Sequence, residues 1–181
     1  MRKKIIAISG STRLNSTNHG LIKAITALSK DELDIFVYEG ISSLPQFNPD
    51  NDNENVAAEV ADFRQQLNNA DGVIICTPEY AHGVPGTLKN AIDWTISTSQ
   101  FPHKPTMLIT ASTDGRFGHR ALLETLKAIE AKNIDNLQMV IRFVKTKINN
   151  NKIIDEDTLK GVKILIANFV KTINENKIEV K

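Results

Sequence analysis

The sequence predicts an open α/β fold: a parallel sheet covered by helices on both faces. Three observations predict it. Five apolar runs of strand length alternate with five longer segments of helical periodicity. The third and fourth runs, at 72–77 and 106–111, are almost wholly apolar, as strands buried on both faces are. A loop made mostly of hydroxyls and amides follows the first run and leads straight into a helical pattern. That order places the loop at the carboxyl edge of the sheet, where open α/β folds bind ligands.

The elements follow in order. Lys4-Ile5-Ile6-Ala7-Ile8 forms the body of a strand over 4–9, and a helix over 18–29 places Leu21, Ile22, Ile25 and Leu28 on one face. A second strand covers 34–38. Residues 41–54 have no periodicity and carry Pro45 and Pro49, so they read as a loop. At about fourteen residues it is long for a compact domain, which favours a functional role. Helices over 55–69, 85–97 and 118–132 alternate with strands over 72–77, 106–111 and 138–144. Residues 149–152 are a polar turn. The last helix, over 155–174, repeats Leu159, Val162, Leu165, Ile166, Phe169 and Ile173 at helical spacing.

The 181 residues read as one domain, 1–181, large enough for a core without staples. A net charge of +1 gives no field that steers the chain to nucleic acid or an anionic membrane. No apolar run approaches the ~18 residues of a membrane span, and none resembles a secretory signal, so the expected location is the cytoplasm. Cys76 is the single cysteine and lies in an apolar run, a buried small hydrophobe rather than a redox thiol. His19, His82, His103 and His119 have no partners at ligand spacing, so no metal site is expected. No G-x-S-x-G elbow supports a nucleophilic triad.

Three loops at the carboxyl edge carry the candidate chemistry. The first contains Ser11, Arg13, Ser16, Thr17 and Asn18. It lacks the dinucleotide glycine fingerprint and the P-loop lysine, which disfavours nucleoside triphosphates and suits a monophosphate. The other reading is an ordinary strand-to-helix loop with Ser16 or Thr17 as N-cap. The second loop runs through Pro78, Glu79, Tyr80, Ala81, His82, Gly83, Val84, Pro85 and Gly86. Its prolines and glycines fix an irregular backbone that can wall a flat aromatic ring. Glu79 and His82 read either as an acid/base pair or as a backbone contact and a pocket lining. Trp94, beyond this loop, reads as core or interface, or else as a stacking residue. The third loop, with Ser112, Gly115, Arg116, Gly118, His119 and Arg120, suits anion or ring-edge contacts, or is a glycine-rich turn with solvated arginines.

These motifs together resemble the NADPH-dependent FMN reductase family. The resemblance rests on Gly10-Ser11-Thr12-Arg13-Leu14-Asn15-Ser16-Thr17-Asn18, on Pro78-Glu79-Tyr80 with Val84-Pro85-Gly86, on Leu88-Lys89-Asn90-Ala91-Ile92-Asp93-Trp94, and on the turn from Ser112 to Arg120. It covers residues 4–145 in order. It implies a flavodoxin-like doubly wound sheet of five strands in the order 2-1-3-4-5. It also implies FMN as cofactor and NADPH or NADH as co-substrate. By the resemblance, Ser11, Arg13, Ser16, Thr17 and Asn18 hold the FMN phosphate. Pro78, Glu79, Tyr80, Ala81 and His82 meet the isoalloxazine ring, and Ser112 and Gly115 close over another ring edge. Two departures stand out: Ala81 where the family often has Asn, and Gly118-His119 where it often has a glycine pair.

The expected function is an FMN-dependent NAD(P)H oxidoreductase passing two electrons to a quinone or similar small acceptor, with no side chain required as acid or base. The helix that Asn90-Ala91-Ile92-Asp93-Trp94 extends has more apolar residues than one face of a small monomer needs, and the resemblance implies oligomers, so a homodimer or homotetramer is expected with Trp94 near the interface. An electron carrier of flavodoxin type, or a flavin-binding module without turnover, are the alternatives. Arg116 and Arg120 are candidates to meet the 2′-phosphate of NADPH.

Overall fold

The computed structural model describes residues 1–13 and 15–179. Leu14, part of the first-loop motif, lies outside them. Five parallel strands form the sheet: β1 (Lys3–Ser9), β2 (Leu33–Tyr38), β3 (Gly72–Thr77), β4 (Thr106–Ala111) and β5 (Gln138–Ile141). Their order is β2-β1-β3-β4-β5. This is the predicted topology. It reverses between β1 and β3, where such sheets open a ligand crevice.

Helices α1 (Thr17–Leu28) and α5 (Glu156–Glu179) cover one face, and α2 (Ala58–Asn68), α3 (Gly86–Asp93) and α4 (Arg116–Ala128) the other. Side chains along each strand alternate between the two cores. Ile5, Ala7, Ile74, Cys76, Met107 and Ile109 pack with Leu21 and Ile25 of α1 and Phe169 of α5. Ile6, Ile8, Val73, Ile75 and Leu108 pack with Phe63 and Leu67 of α2 and Leu122 and Leu126 of α4. Every residue of β3 and β4 is buried, which accounts for their continuous apolar character. A short hairpin, β6 (Ile148–Asn149) and β7 (Lys152–Ile153), carries the predicted polar turn at its tip and rests on α1.

Several boundaries differ from the sequence expectation, and at β5 and α4 the reason is a local reversal of φ. β5 stops at Ile141 rather than 144, because Phe143 takes a left-handed φ of 53° and a 3-10 turn follows over Val144–Thr146. α4 begins at Arg116, two residues early, because Gly115 (φ 89°) is the turn that launches it. α3 ends at Asp93, four residues short of expectation, and α2 starts at Ala58 rather than 55.

The long loop over 41–54 is braced by the chain's own side chains. It forms two 3-10 turns, Gly40–Ser43 and Pro49–Asn51, and is clasped from below. Trp94 Nε1 and Asn90 Nδ2 both donate to the Pro45 carbonyl, at 2.8 and 3.0 Å, while Phe47 N donates to Asn90 Oδ1 at 2.7 Å. Phe47 meets the Trp94 ring edge-on, with centroids 5.0 Å apart. Nearby, the buried Arg64 pairs with Asp52 at 2.7 Å and donates from Nε to the Trp94 carbonyl at 2.7 Å. Burial works to raise the Asp52 carboxyl, but the Ser97 hydroxyl and the Arg64 guanidinium outweigh it and hold it below its ordinary range.

Candidate ligand cleft at the carboxyl edge of the sheet

A cleft of about 650 Å³ opens at the carboxyl ends of β1, β3, β4 and β5. This is within the usual size of a small-molecule site. Of the predicted residues, Ser11, Arg13, Ser16, Thr17, Asn18, Pro78, Glu79, Tyr80 and Ser112 line it. Ala81, His82 and Gly115 do not. Four further stretches do: Asn15, Ala111, Thr113, and the segment from Phe143 through Thr146 with Ile148.

The first loop folds back on itself. Ser9 Oγ donates to the Ser11 carbonyl (3.1 Å) and accepts from Ser11 N (3.2 Å), and Ser11 Oγ accepts from Arg13 N (3.4 Å). Ser16 is the N-cap of α1, its Oγ accepting from Asn18 N at 3.2 Å. The capping reading and the cleft reading are therefore both realised at Ser16. The first turn of α1 carries no acidic side chain, so its positive end faces the cleft without internal compensation.

Asn18 is buried. Its Nδ2 donates to the Ala111 carbonyl at 3.2 Å, and its Oδ1 has no hydrogen-bond partner. Reversing the amide would set two acceptors against each other, so the Ala111 carbonyl fixes the orientation. A buried acceptor without a donor is costly, and a ligand O–H would satisfy it.

The second loop ends in a tight turn. Tyr80 N donates to the Gly83 carbonyl at 3.1 Å and Gly83 N to the Tyr80 carbonyl at 2.8 Å, with Ala81 (φ 48°) and His82 (φ 59°) both left-handed. Asn is far better tolerated than Ala at such a φ, which gives the Ala81 departure a backbone meaning. His82 is turned outward and stacks on Phe117 of α4, with centroids 4.3 Å apart. The acid/base pairing of Glu79 with His82 is not formed. Glu79 instead reaches the start of α4, where Oε2 accepts from Gly118 N at 2.6 Å and Oε1 from Gly115 N at 3.4 Å. A carboxylate there satisfies orphan N–H groups and the helix dipole. Gly118 permits the approach, since a Cβ would lie 2.8 Å from the Gly83 carbonyl oxygen.

The third loop is shorter than the sequence suggested, because α4 begins early. Gly115 is buried in the turn, away from the cleft, and contributes through its φ and its N–H. Asp114 accepts from Arg116 at 2.7 and 2.9 Å and pairs with Arg142 at 3.4 Å. The Arg116 hydrogen bonds hold the Asp114 carboxyl below its ordinary range. Arg116 is thus committed, and Arg120 lies on the exposed side of α4, outside the cleft lining. His119 is also not a pocket residue. It is buried in α4, where Nδ1 meets Thr110 Oγ1 at 2.9 Å and Nε2 meets Gln138 Oε1. Burial lowers its pKa against the raising effect of Gln138, so the neutral ring accepts from Thr110 and donates to Gln138. Trp94, 1% exposed, is core, and offers no surface to a partner subunit.

The rim formed by Phe143 to Thr146 was not foreseen, because the apolar run over 138–144 hides the end of β5. The rim is tied to the third loop: Phe143 N donates to the Thr113 carbonyl at 3.1 Å and Val144 N to the Ser112 carbonyl at 3.2 Å. A left-handed bulky residue costs of order 1–3 kcal/mol, and these bonds hold it in place. Among the described residues no His/Cys/Asp/Glu cluster suits a metal, and no helix is long and apolar enough to cross a membrane.

A flavodoxin-like sheet with a hydroxyl- and arginine-lined cleft at its switch point defines a phosphate-bearing ligand's binding protein. The chain belongs to the NADPH-dependent FMN reductase family, which residues 3–144 match. It is 30% identical to NADH-dependent flavin reductase subunit 2 of Lactobacillus johnsonii, over 95% of this chain and 98% of that protein. It is also 30% identical to 2-hydroxy-1,4-benzoquinone reductase of a Burkholderia species, over 98% and 100% respectively. In fold it is similar to FerB, a flavoenzyme NAD(P)H:(acceptor) oxidoreductase from Paracoccus denitrificans. The TM-score is 0.79 at 23% identity, covering 96% of this chain and 98% of that one. FMN and NAD(P)H are the cofactor and reductant of this family of oxidoreductases.

The residues present fit FMN. The uncompensated helix end and Arg13 suit its phosphate, the unpartnered Asn18 acceptor suits a polyol hydroxyl, and the volume is sufficient.

Proposed function

We propose that this chain is a single-domain, cytoplasmic FMN-dependent NAD(P)H oxidoreductase. Its acceptor is a quinone or similar small molecule, and it works as a homodimer or homotetramer. The chemistry supplied by bound FMN is two-electron transfer between a nicotinamide and the acceptor. The observation that carries the reading is a single cleft joining a phosphate-type loop to a rigid, irregular turn.

Ser11, Arg13, Ser16 and Thr17 would hold the phosphate, by hydroxyls, a guanidinium and the α1 dipole. Asn18 takes a different role from the one implied by its motif. Its amide nitrogen is spent on Ala111, so it would accept from a hydroxyl of the polyol chain. Pro78, Glu79 and Tyr80 would face the flavin ring with backbone and Tyr80 surface, and Ser112 would meet a second ring edge. Ala81, His82 and Gly115 would act from behind, by setting the turn and the start of α4. Backbone N–H groups of the second loop not spent within its turn would stabilise negative charge on a reduced ring without any proton relay.

The test is the purified protein. It should be yellow, with bands at about 370 and 450 nm as flavins generally show, release FMN, and oxidise NAD(P)H in the presence of a benzoquinone. A colourless protein that does not take up added FMN would overturn the reading.

A further inference from the structure

We infer that Lys145 supplies the second positive charge of the phosphate site, an inference that rests on FMN occupying this cleft. Besides Lys147, which pairs with Asp155 at 3.7 Å, four cations lie along the rim made by the first loop, the third loop and the segment after β5: Arg13, Arg116, Arg142 and Lys145. Asp114 takes two of them, accepting from Arg116 and pairing with Arg142. Arg142 also lies over the Phe143 ring, 5.3 Å from its centroid. The other two, Arg13 and Lys145, both line the cleft. Among the described residues neither is held by a carboxylate in the ion pairs of the structure. The carboxylate of Glu79, in the same cleft, is spent on the amides of Gly115 and Gly118.

A phosphate monoester carries between one and two negative charges near neutral pH, so one guanidinium leaves it under-compensated. The turn that carries Lys145 is fixed at the cleft. It is stapled to the third loop through Phe143 and Val144, and Thr146 Oγ1 donates back to the Phe143 carbonyl at 2.9 Å. The hairpin that follows rests on α1, the helix whose N-terminus faces the cleft. None of the motifs that carry the family resemblance contains Lys145.

The test is titration of flavin-stripped protein with FMN and, separately, riboflavin, followed by quenching of flavin fluorescence. Lys145→Gln should weaken FMN by about five- to tenfold and leave riboflavin unchanged, and Lys145→Arg should restore FMN. Arg13→Ala should weaken FMN by about ten- to a hundredfold, the larger effect belonging to the forked donor. Added salt should weaken FMN binding less in Lys145→Gln than in the wild type. Unchanged FMN affinity in Lys145→Gln overturns the inference. So does an equal loss for riboflavin, which would make the residue only a wall. A wild-type protein that binds neither flavin fails at the earlier step, the assignment of FMN, and takes this inference with it.

Discussion

His119 illustrates how a polar residue in a suggestive loop motif can belong to the core. It bridges Thr110 of β4 and Gln138 of β5 as a neutral imidazole, and Gln138 Nε2 is directed to the Asp135 carbonyl, which leaves Oε1 to accept. Burial depresses its affinity for a proton in the folded chain. In the unfolded chain it titrates at about 6.5. Below that value the unfolded state binds more protons, so the stability it provides is complete above about pH 6.5 and declines as pH falls toward the folded pKa. Urea unfolding between pH 7.5 and 5.5 should therefore lose more stability in the wild type than in His119→Gln, whose side chain does not titrate. Parallel curves for the two proteins would contradict a buried neutral ring.

Glu79 acts at the level of elements, coupling the ring-facing turn to α4. Replacing it by Gln keeps an acceptor but removes the charge at the helix end, an effect of about 1 kcal/mol. Glu79→Gln should unfold at lower denaturant while turnover per bound flavin stays within a few-fold. Wild-type stability with turnover lost would instead restore an acid role.

The same contact explains what could be read from the sequence and what could not. β3 and β4 were legible because both their faces are buried, leaving an unbroken apolar record. α1 was legible from its stripe, and Ser16 from its capping position. His119 shares a helix face with Leu122 and Leu126, a spacing that marks it as core once α4 is known to begin at Arg116. The start itself was hidden, because a glycine in a turn and a glycine that launches a helix look alike in sequence. The rim at Phe143 to Thr146 was hidden by a φ reversal that apolar periodicity cannot register. Arg116 pairs with Asp114, and such pairing between neighbours is fixed only in three dimensions.

At the scale of the molecule, Trp94 gives the assembly question a new form. Trp94 is buried within its own chain, so contacts between copies would fall to exposed residues. Phe117 on α4, 51% exposed and beside the cation Arg116, is one such residue outside the cleft lining. Light scattering at micromolar concentration should give a dimer or tetramer mass, and Phe117→Asp should lower it with flavin still bound. A monomeric wild type carrying flavin would remove the oligomer from the proposal. The loop clasp has a different kind of consequence. Asn90 and Trp94 spend their polar groups on the chain's own backbone at Pro45 and Phe47. Their polar groups therefore serve the architecture of this face, and the loop they brace stays in place whether or not the cleft is filled.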